Sequence, residues 1–215
     1  MRRSLTRGGV VLAFLISSLI SVAPASASSM TADPPPDRII IELVAMAGSG
    51  CAPGTADVAI SPDNTAFTAI YSNYLAQAGP GIPVTENRKN CQLNVLVHAP
   101  QGFTFAIAKA DYRGYGFLKR GAVAQQRANY YFQGMSQGSF ANHRIPAPYD
   151  DNWIATDEVP VAALVYRPCG ERRNLNINTE LRVTRGTSTD VSYLTMDSTD
   201  GSIETIYHLA WKRCR

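Results

Sequence analysis

Metal-binding patterns are missing from this chain. Its three histidines, His98, His143 and His208, do not occur at the His-x-x-x-His spacing of a helical metal site. Its cysteines include no Cys-x-x-Cys pair. We therefore expect no metal site and no cofactor, and we interpret His98 and His208 as solvated residues on a sheet face.

The chain also lacks a hydrophobic run long enough to span a membrane. A span needs about 20 apolar residues, whereas the apolar run over 10–20 is shorter and is interrupted by two serines. Three arginines precede this run, and the small residues of 25–27 follow it. This order predicts a secretory signal peptide over 1–27, cleaved after Ala27, and hence a secreted, extracellular mature chain with no membrane partner.

Excess charge is absent once the signal peptide is removed. The full chain has 20 Lys and Arg against 17 Asp and Glu, and three of the arginines belong to the signal. The mature chain is therefore neutral. A neutral chain has no basic footprint for nucleic acid, so we exclude a nucleic-acid partner.

The cysteine count is even, and all four cysteines lie in the mature chain: Cys51, Cys91, Cys169 and Cys214. In an exported protein this pattern indicates two disulfides. Three pairings are possible. We favour Cys51–Cys91 and Cys169–Cys214, because these two bridges clip the two halves of the chain separately.

Strand patterns dominate the mature chain. Residues 174–184 alternate strictly between apolar or Thr side chains and Asn, Glu, Arg or Thr side chains, which is typical of a strand with one buried and one wet face. Shorter patterns predict strands over 39–44, 66–72, 92–98, 103–112 and 159–166. Residues 191–196 and 202–211 flank an Asp-Gly turn and predict a C-terminal hairpin.

Helical signals are weak by comparison. No amphipathic helix of 12 or more residues is present, and residues 74–78 predict a single helical turn. Many short strands separated by Pro- and Gly-rich turns indicate an all-β fold, an antiparallel β-sandwich or jelly roll that is disulfide-bonded. We divide the chain into a signal peptide (1–27), a Pro-rich N-terminal spacer (28–38) and a single domain (39–215).

A set of short motifs resembles one known family. In chain order the motifs are Gly48-Ser49-Gly50-Cys51, Ile60-Ser61-Pro62-Asp63, Gly79-Pro80-Gly81, Arg88-Lys89-Asn90-Cys91-Gln92-Leu93, Asp111-Tyr112-Arg113-Gly114-Tyr115, Tyr130-Tyr131-Phe132, Pro168-Cys169-Gly170, Leu175-Asn176-Ile177-Asn178 and Tyr207-His208-Leu209. Together they resemble the secreted family called domain of unknown function 4360, found in fungi and filamentous bacteria. The resemblance implies a small exported domain with cysteines, and it brings no catalytic residue. Tyr166-Arg167 stands where the family pattern leads us to expect Trp-Ser.

Two patterns suggest enzymes. Residues 134–138 fit Gly-x-Ser-x-Gly around Ser136, but a nucleophile elbow needs a strand before it and a helix after it, and no helical pattern follows. Asp150-Asp151 and Asp157-Glu158 supply acids for the carboxylate pair of a glycoside hydrolase, whose separation the sequence does not give. We therefore expect a protein that is not an enzyme, with no catalytic residue, and keep a hydrolase as the last alternative.

A cluster of Asp111, Tyr112, Arg113 and Tyr115, with Arg88, is the candidate binding site. Tyrosine rings stack on sugar rings, and Arg and Asp bind hydroxyl groups. Strand parity from Phe103 places Tyr112 on the outer face, and Gly114 permits a bend that turns Arg113 and Tyr115 outward. The alternative is that the tyrosines cap the edge of the core.

These observations predict an exported non-catalytic binding module. Its partner is a glycan of the envelope or the environment. The first alternative is a protease inhibitor or another module that binds a secreted protein.

Overall fold

A computed structural model describes residues 31–196 and 204–214. The predicted signal peptide and the turn over 197–201 lie outside the described residues. Twelve strands are numbered here in chain order: β1 (Ile40–Ala47), β2 (Ala56–Ile60), β3 (Ala66–Tyr71), β4 (Leu75–Ala78), β5 (Arg88–His98), β6 (Phe103–Leu118), β7 (Val123–Phe132), β8 (Gly138–Ile145), β9 (Tyr149–Glu158), β10 (Leu175–Thr184), β11 (Ser192–Thr195) and β12 (Thr205–Arg213). Two short 3₁₀ helices, Val84–Asn87 and Val161–Ala163, complete the list of elements.

The strands form two antiparallel sheets that pack face to face. One sheet has five strands in the order β1-β5-β10-β7-β8. The other has seven, in the order β2-β3-β12-β6-β11-β4, with β9 paired to the free side of β6. This arrangement confirms the predicted disulfide-bonded all-β sandwich.

Alternating side chains build the core between the sheets. From β10, Leu175, Ile177 and Leu181 are buried, as their alternation predicts. From the other sheet, the rings of Phe67 and Tyr207 stack with their centroids 4.9 Å apart. The outer face of each sheet is left to polar side chains and a few exposed apolar ones.

A bulge in β6 changes which of its residues reach the core. Leu209 of β12 pairs with Ile107, whereas His208 pairs with Lys109, so Ala108 is an extra residue on β6. An extra residue shifts the alternation by one position. Beyond the bulge the even-numbered side chains face inward, and Tyr112 is fully buried.

The prediction that Tyr112 lies on the outer face is therefore wrong. Parity counted from Phe103 is valid only up to Ala108. Arg113 and Tyr115 do face outward, but because of the bulge and not because of a bend at Gly114.

The predicted C-terminal hairpin is also wrong. β11 and β12 do not pair with each other. Both pair with β6, β12 along Phe103–Asp111 and β11 at Gly116 and Phe117. β6 is 16 residues long, which is long enough to hold two short strands end to end on one side.

Two further local predictions fail. Residues 159–166 form no strand and include the 3₁₀ helix Val161–Ala163. Residues 75–78, predicted as a helical turn, form β4, because pairing with β11 satisfies their backbone groups.

Two disulfides close the fold, Cys51–Cys91 and Cys169–Cys214, and they confirm the predicted pairing. The first joins the loop after β1 to β5, and both of its cysteines are buried. Gly48 in that loop has φ near +141°, and a Cβ there would lie 2.1 Å from the carbonyl oxygen of Asn90. Only glycine allows the loop to approach β5 so closely.

The predicted N-terminal spacer is attached to the domain from residue 32 onward. The backbone N–H of Ala32 donates to the carbonyl of Trp211 at 2.7 Å. The buried Asn64 donates to the carbonyls of Pro35 and Asp37 at 2.9 and 2.8 Å. Residues 32–37 therefore pack against the sandwich, while the proposed domain boundaries stay predictions.

Candidate functional site

The predicted binding cluster is divided between the two sheets. Arg113 and Tyr115 lie on the outer face of the seven-stranded sheet, and Asp111 lies beside them, largely covered. Tyr112 lies between the sheets. Arg88 is on β5, on the outer face of the other sheet, so the structure does not bring it together with the rest.

Asp111 is held by its neighbours on three strands. Its carboxylate accepts a hydrogen bond from Thr156 at 2.7 Å and lies 2.8 Å from Nε2 of His208 and 3.0 Å from Nζ of Lys109. Burial opposes ionisation of this carboxyl, but the hydrogen bonds from Thr156, Lys109 and His208 outweigh it and lower the pKa of Asp111 to about 2. Asp111 is therefore a fixed structural anion.

Three aromatic rings extend this face beyond Arg113. Phe117 stacks on Tyr193 with centroids 5.4 Å apart, and Tyr115 lies 6.2 Å from Tyr193. The ammonium of Lys119 lies 4.2 Å from the centre of the Phe117 ring. The hydroxyl of Tyr115 donates to Asp150, and this bond raises the pKa of Tyr115 to about 12. We call Tyr115, Phe117 and Tyr193 the aromatic patch.

Neither enzyme pattern has the geometry that its chemistry needs. Ser136 lies in the loop between β7 and β8, so a strand and not a helix follows it. Asp150 and Asp157 are seven residues apart on β9, roughly 23 Å along a strand, far beyond the separation in a glycosidase. Successive side chains of a strand point to opposite faces, so neighbouring acids do not face each other either.

A polar groove of about 400 Å³ lies on the outer face of the five-stranded sheet. The register of β5, β10, β7 and β8 sets side chains side by side in rows across the sheet. We call this site the amide groove, and its lining is Arg88, Asn90, Cys91, Gln92, Arg127, Ala128, Asn129, Tyr131, Phe140, Asn178, Thr179 and Glu180.

One row carries the amides. Gln92, Asn178 and Asn129 are direct neighbours on β5, β10 and β7, and Phe140 of β8 follows Asn129. We call Gln92, Asn178 and Asn129 the amide row. Within the described residues their side chains have no hydrogen-bond partner, and Oδ1 of Asn178 is shielded from solvent as well. The amide row thus presents unused donors and acceptors.

In the rows on either side of the amide row, polar side chains already form hydrogen bonds with each other. On one side, Nδ2 of Asn94 donates to Asn176 at 2.7 Å and Nδ2 of Asn174 donates to Asn94 at 2.5 Å. On the other side, Glu180 accepts from Arg88 at 2.7 Å and from Arg182 at 3.3 Å. These contacts hold the walls of the groove while the amide row stays available.

Comparison with known proteins places this sandwich in a family. A model of the family described as domain of unknown function (DUF4360) matches residues 37–214. The chain belongs to the DUF4360 family. A relative, an uncharacterized secreted protein of the fungus Arthroderma benhamiae, is 39% identical over 181 residues, which are 84% of this chain and 74% of the relative. The chain is likewise a secreted protein, and no helix in its described part is long and apolar enough to cross a membrane.

Among solved structures, the enzymatically active domain of tailspike protein 4 from bacteriophage CBA120 is a distant match. It shares 10% identity over 82% of this chain and 19% of that chain, with a TM-score of 0.27. A TM-score this low supports no conclusion on the fold or the activity of the DUF4360 chain.

Sequence reasoning missed the amide groove, although part of its signal is in the chain. The alternating asparagines of β10 by themselves predict an ordinary solvent-exposed face. Their partners Gln92 and Asn129 are distant in sequence, and only the strand order β5-β10-β7 makes them neighbours.

Proposed function

We propose that this secreted domain is a non-catalytic module that binds glycan in the amide groove. The observation that carries the proposal is the amide row, whose three side chains have no partner among the described residues and lie beside an exposed ring. A sugar offers hydroxyl groups that both donate and accept, and each carboxamide does the same.

The aromatic side chains of the groove supply a stacking surface. Phe140 is 71% exposed, and Tyr131 lies on the neighbouring strand, next to Asn129. An aromatic ring offers a flat apolar face to the C–H side of a sugar. The groove volume falls within the range of small-ligand sites, about 300–1,000 Å³.

Arginines give one end of the groove a positive charge. Arg88, Arg127 and Arg182 surround Glu180, which leaves two positive charges uncompensated within this group. This end favours glycans that carry acidic groups over neutral ones, although the mature chain as a whole is neutral.

Pull-down of the mature protein with insoluble wall polysaccharide, followed by calorimetric titration with soluble oligosaccharides, tests the proposal. Removing two amides in the Asn129→Ala/Asn178→Ala variant should weaken binding at least tenfold. Phe140→Ala should weaken it by about tenfold. Asn152→Ala and Ile154→Ala are matched controls, since both residues are exposed on the opposite sheet.

Unchanged affinity in the groove variants would contradict the proposal, and so would an equal loss in the controls. Capture of a secreted protein with no polysaccharide would favour the protein-binding alternative. The predicted contact of Arg113 and Tyr115 with a ligand stays an untested alternative to the amide groove, and the same titration tests it.

A further inference from the structure

Arg167 is a buried arginine that has no carboxylate partner among the described residues. It lies in the segment between β9 and β10 and is 6% exposed. Its backbone is fixed, because its N–H donates to the carbonyl of Phe105 at 3.0 Å and its carbonyl accepts from the hydroxyl of Thr104 at 2.5 Å. The backbone of Arg167 is therefore fixed against β6.

The described residues satisfy the guanidinium of Arg167 only in part. Nη1 donates to the carbonyl of Val97 at 3.4 Å, the guanidinium lies 5.4 Å from the centre of the Phe105 ring, and Nε has no hydrogen-bond partner. Burial lowers the pKa of Arg167, yet an arginine remains charged in proteins. A buried charge without a counter-charge is destabilising.

Two acidic side chains, one on β1 beside β5 and one on the segment that carries Arg167, bind other groups. Glu42 lies 2.9 Å from Nε2 of His98. Glu171 accepts from Arg173 at 2.5 Å. Neither of these carboxylates neutralises Arg167, so its positive charge is available to an anion that enters the space beside it.

That space is a cavity of about 280 Å³. It is lined by Leu96, Val97, His98, Ala99, Arg167 and Arg172. The lining includes two arginines and a histidine and no carboxylate. It lies near the end of β5, roughly 33 Å along the strand from Arg88 in the amide groove.

We propose that this cavity, the Arg167 pocket, binds an oxyanion, either a free phosphate-like ion or the carboxylate of an acidic sugar. Guanidinium groups match the planar fork of a carboxylate and the oxygens of a phosphate. The buried Arg167 supplies the fixed charge, and the exposed Arg172 lines the same cavity. The site is separate from the amide groove and does not depend on glycan binding there.

Thermal unfolding of the mature protein at constant ionic strength, with chloride replaced stepwise by inorganic phosphate, tests this proposal. Wild type should show a saturable rise of the unfolding midpoint. Arg172→Gln should raise the apparent dissociation constant for phosphate at least tenfold. Arg167→Met should abolish the response and raise the midpoint in phosphate-free buffer, because it removes an unpaired buried charge.

The matched control is Arg185→Gln, an exposed arginine outside the pocket, which should respond as wild type does. Asn129→Ala/Asn178→Ala should also respond as wild type, which separates this site from the amide groove. A parallel titration with glucuronate identifies the source of the anion: saturation at a lower concentration than phosphate assigns an acidic sugar, and the reverse order assigns a free ion. No saturable rise with either anion, or an equal rise in Arg172→Gln, would overturn the proposal.

Discussion

Asp111 and Tyr115 on one outer face of the sandwich differ from the amide row on the other face in whether their polar groups have hydrogen-bond partners. On the seven-stranded sheet, Asp111 is bonded on three sides, and the hydroxyl of Tyr115 donates to Asp150. On the five-stranded sheet, the amide row has no partner among the described residues. The polar groups of Asp111 and Tyr115 already bind neighbours and have little left for a ligand, whereas the amide row is unpaired, so the five-stranded sheet is the better candidate for recognition.

Residue type alone would favour the cluster around Arg113 as the binding site, whereas the hydrogen bonding favours the amide groove. Tyrosine and arginine are common in binding sites, and the cluster around Arg113 has both. Half of the residues that line the amide groove are Asn, Gln or Arg, and in sequence these resemble any solvated strand face. Which groups are already paired is decided by neighbours across the sheet.

Replacing Tyr112 should give one of the largest effects on stability. Tyr112→Ala removes a fully buried ring, and we expect a loss of about 3 to 5 kcal/mol in the free energy of unfolding, measured by urea denaturation. Arg113→Ala, one residue away on the outer face, should change that free energy by less than about 0.5 kcal/mol. Similar losses in both variants would contradict the bulge at Ala108.

The two disulfides should separate stability from binding. On the chain-entropy model, removing either bridge with paired Cys→Ser changes costs about 4 kcal/mol, since the bridges close similar loops of 40 and 45 residues. The Cys51/Cys91 variant should also weaken glycan binding, because Cys91 lines the amide groove. The Cys169/Cys214 variant should bind as wild type below its unfolding midpoint, and weaker binding in this variant alone would argue against the groove.

Asp111 should make stability depend on pH at the acid end. Its folded pKa of about 2 lies below the unfolded value near 4, so its contribution is complete above about pH 4 and is lost as the pH falls through about 2. Wild type should exceed Asp111→Asn by on the order of 1 kcal/mol at pH 5, less at pH 2, in urea denaturation. Asp33→Asn serves as the control, and a difference that does not change with pH would contradict the ionic role of Asp111.

The smallest effect is expected from Arg113 and Tyr115 on the seven-stranded sheet. Arg113→Ala/Tyr115→Ala should reduce glycan affinity less than threefold, because these side chains lie on the sheet opposite the amide groove. Calorimetric titration beside Asn129→Ala/Asn178→Ala measures the contrast. A tenfold loss here, with intact groove variants, would move the binding site to the seven-stranded sheet.

Local patterns determined much of this protein. Alternation along β10 predicted both its extent and its buried side chains, because the pleat requires only one strand's own sequence. The cysteine count and the Pro- and Gly-rich turns predicted a disulfide-bonded β-sandwich, and the ordered motifs predicted the family. Each of these signals is read within a short stretch of chain.

Tertiary structure alone decided the orientation of Tyr112, the separation of β11 from β12 and the amide groove. The bulge at Ala108 exists because β12 pairs with β6 in two registers, and a residue's parity depends on a partner about 100 positions away. The amide row likewise needs Gln92, Asn129 and Asn178 side by side, which follows from sheet order. Pairing between distant strands leaves no periodic pattern in the sequence, so a site that depends on this pairing cannot be predicted from the sequence alone.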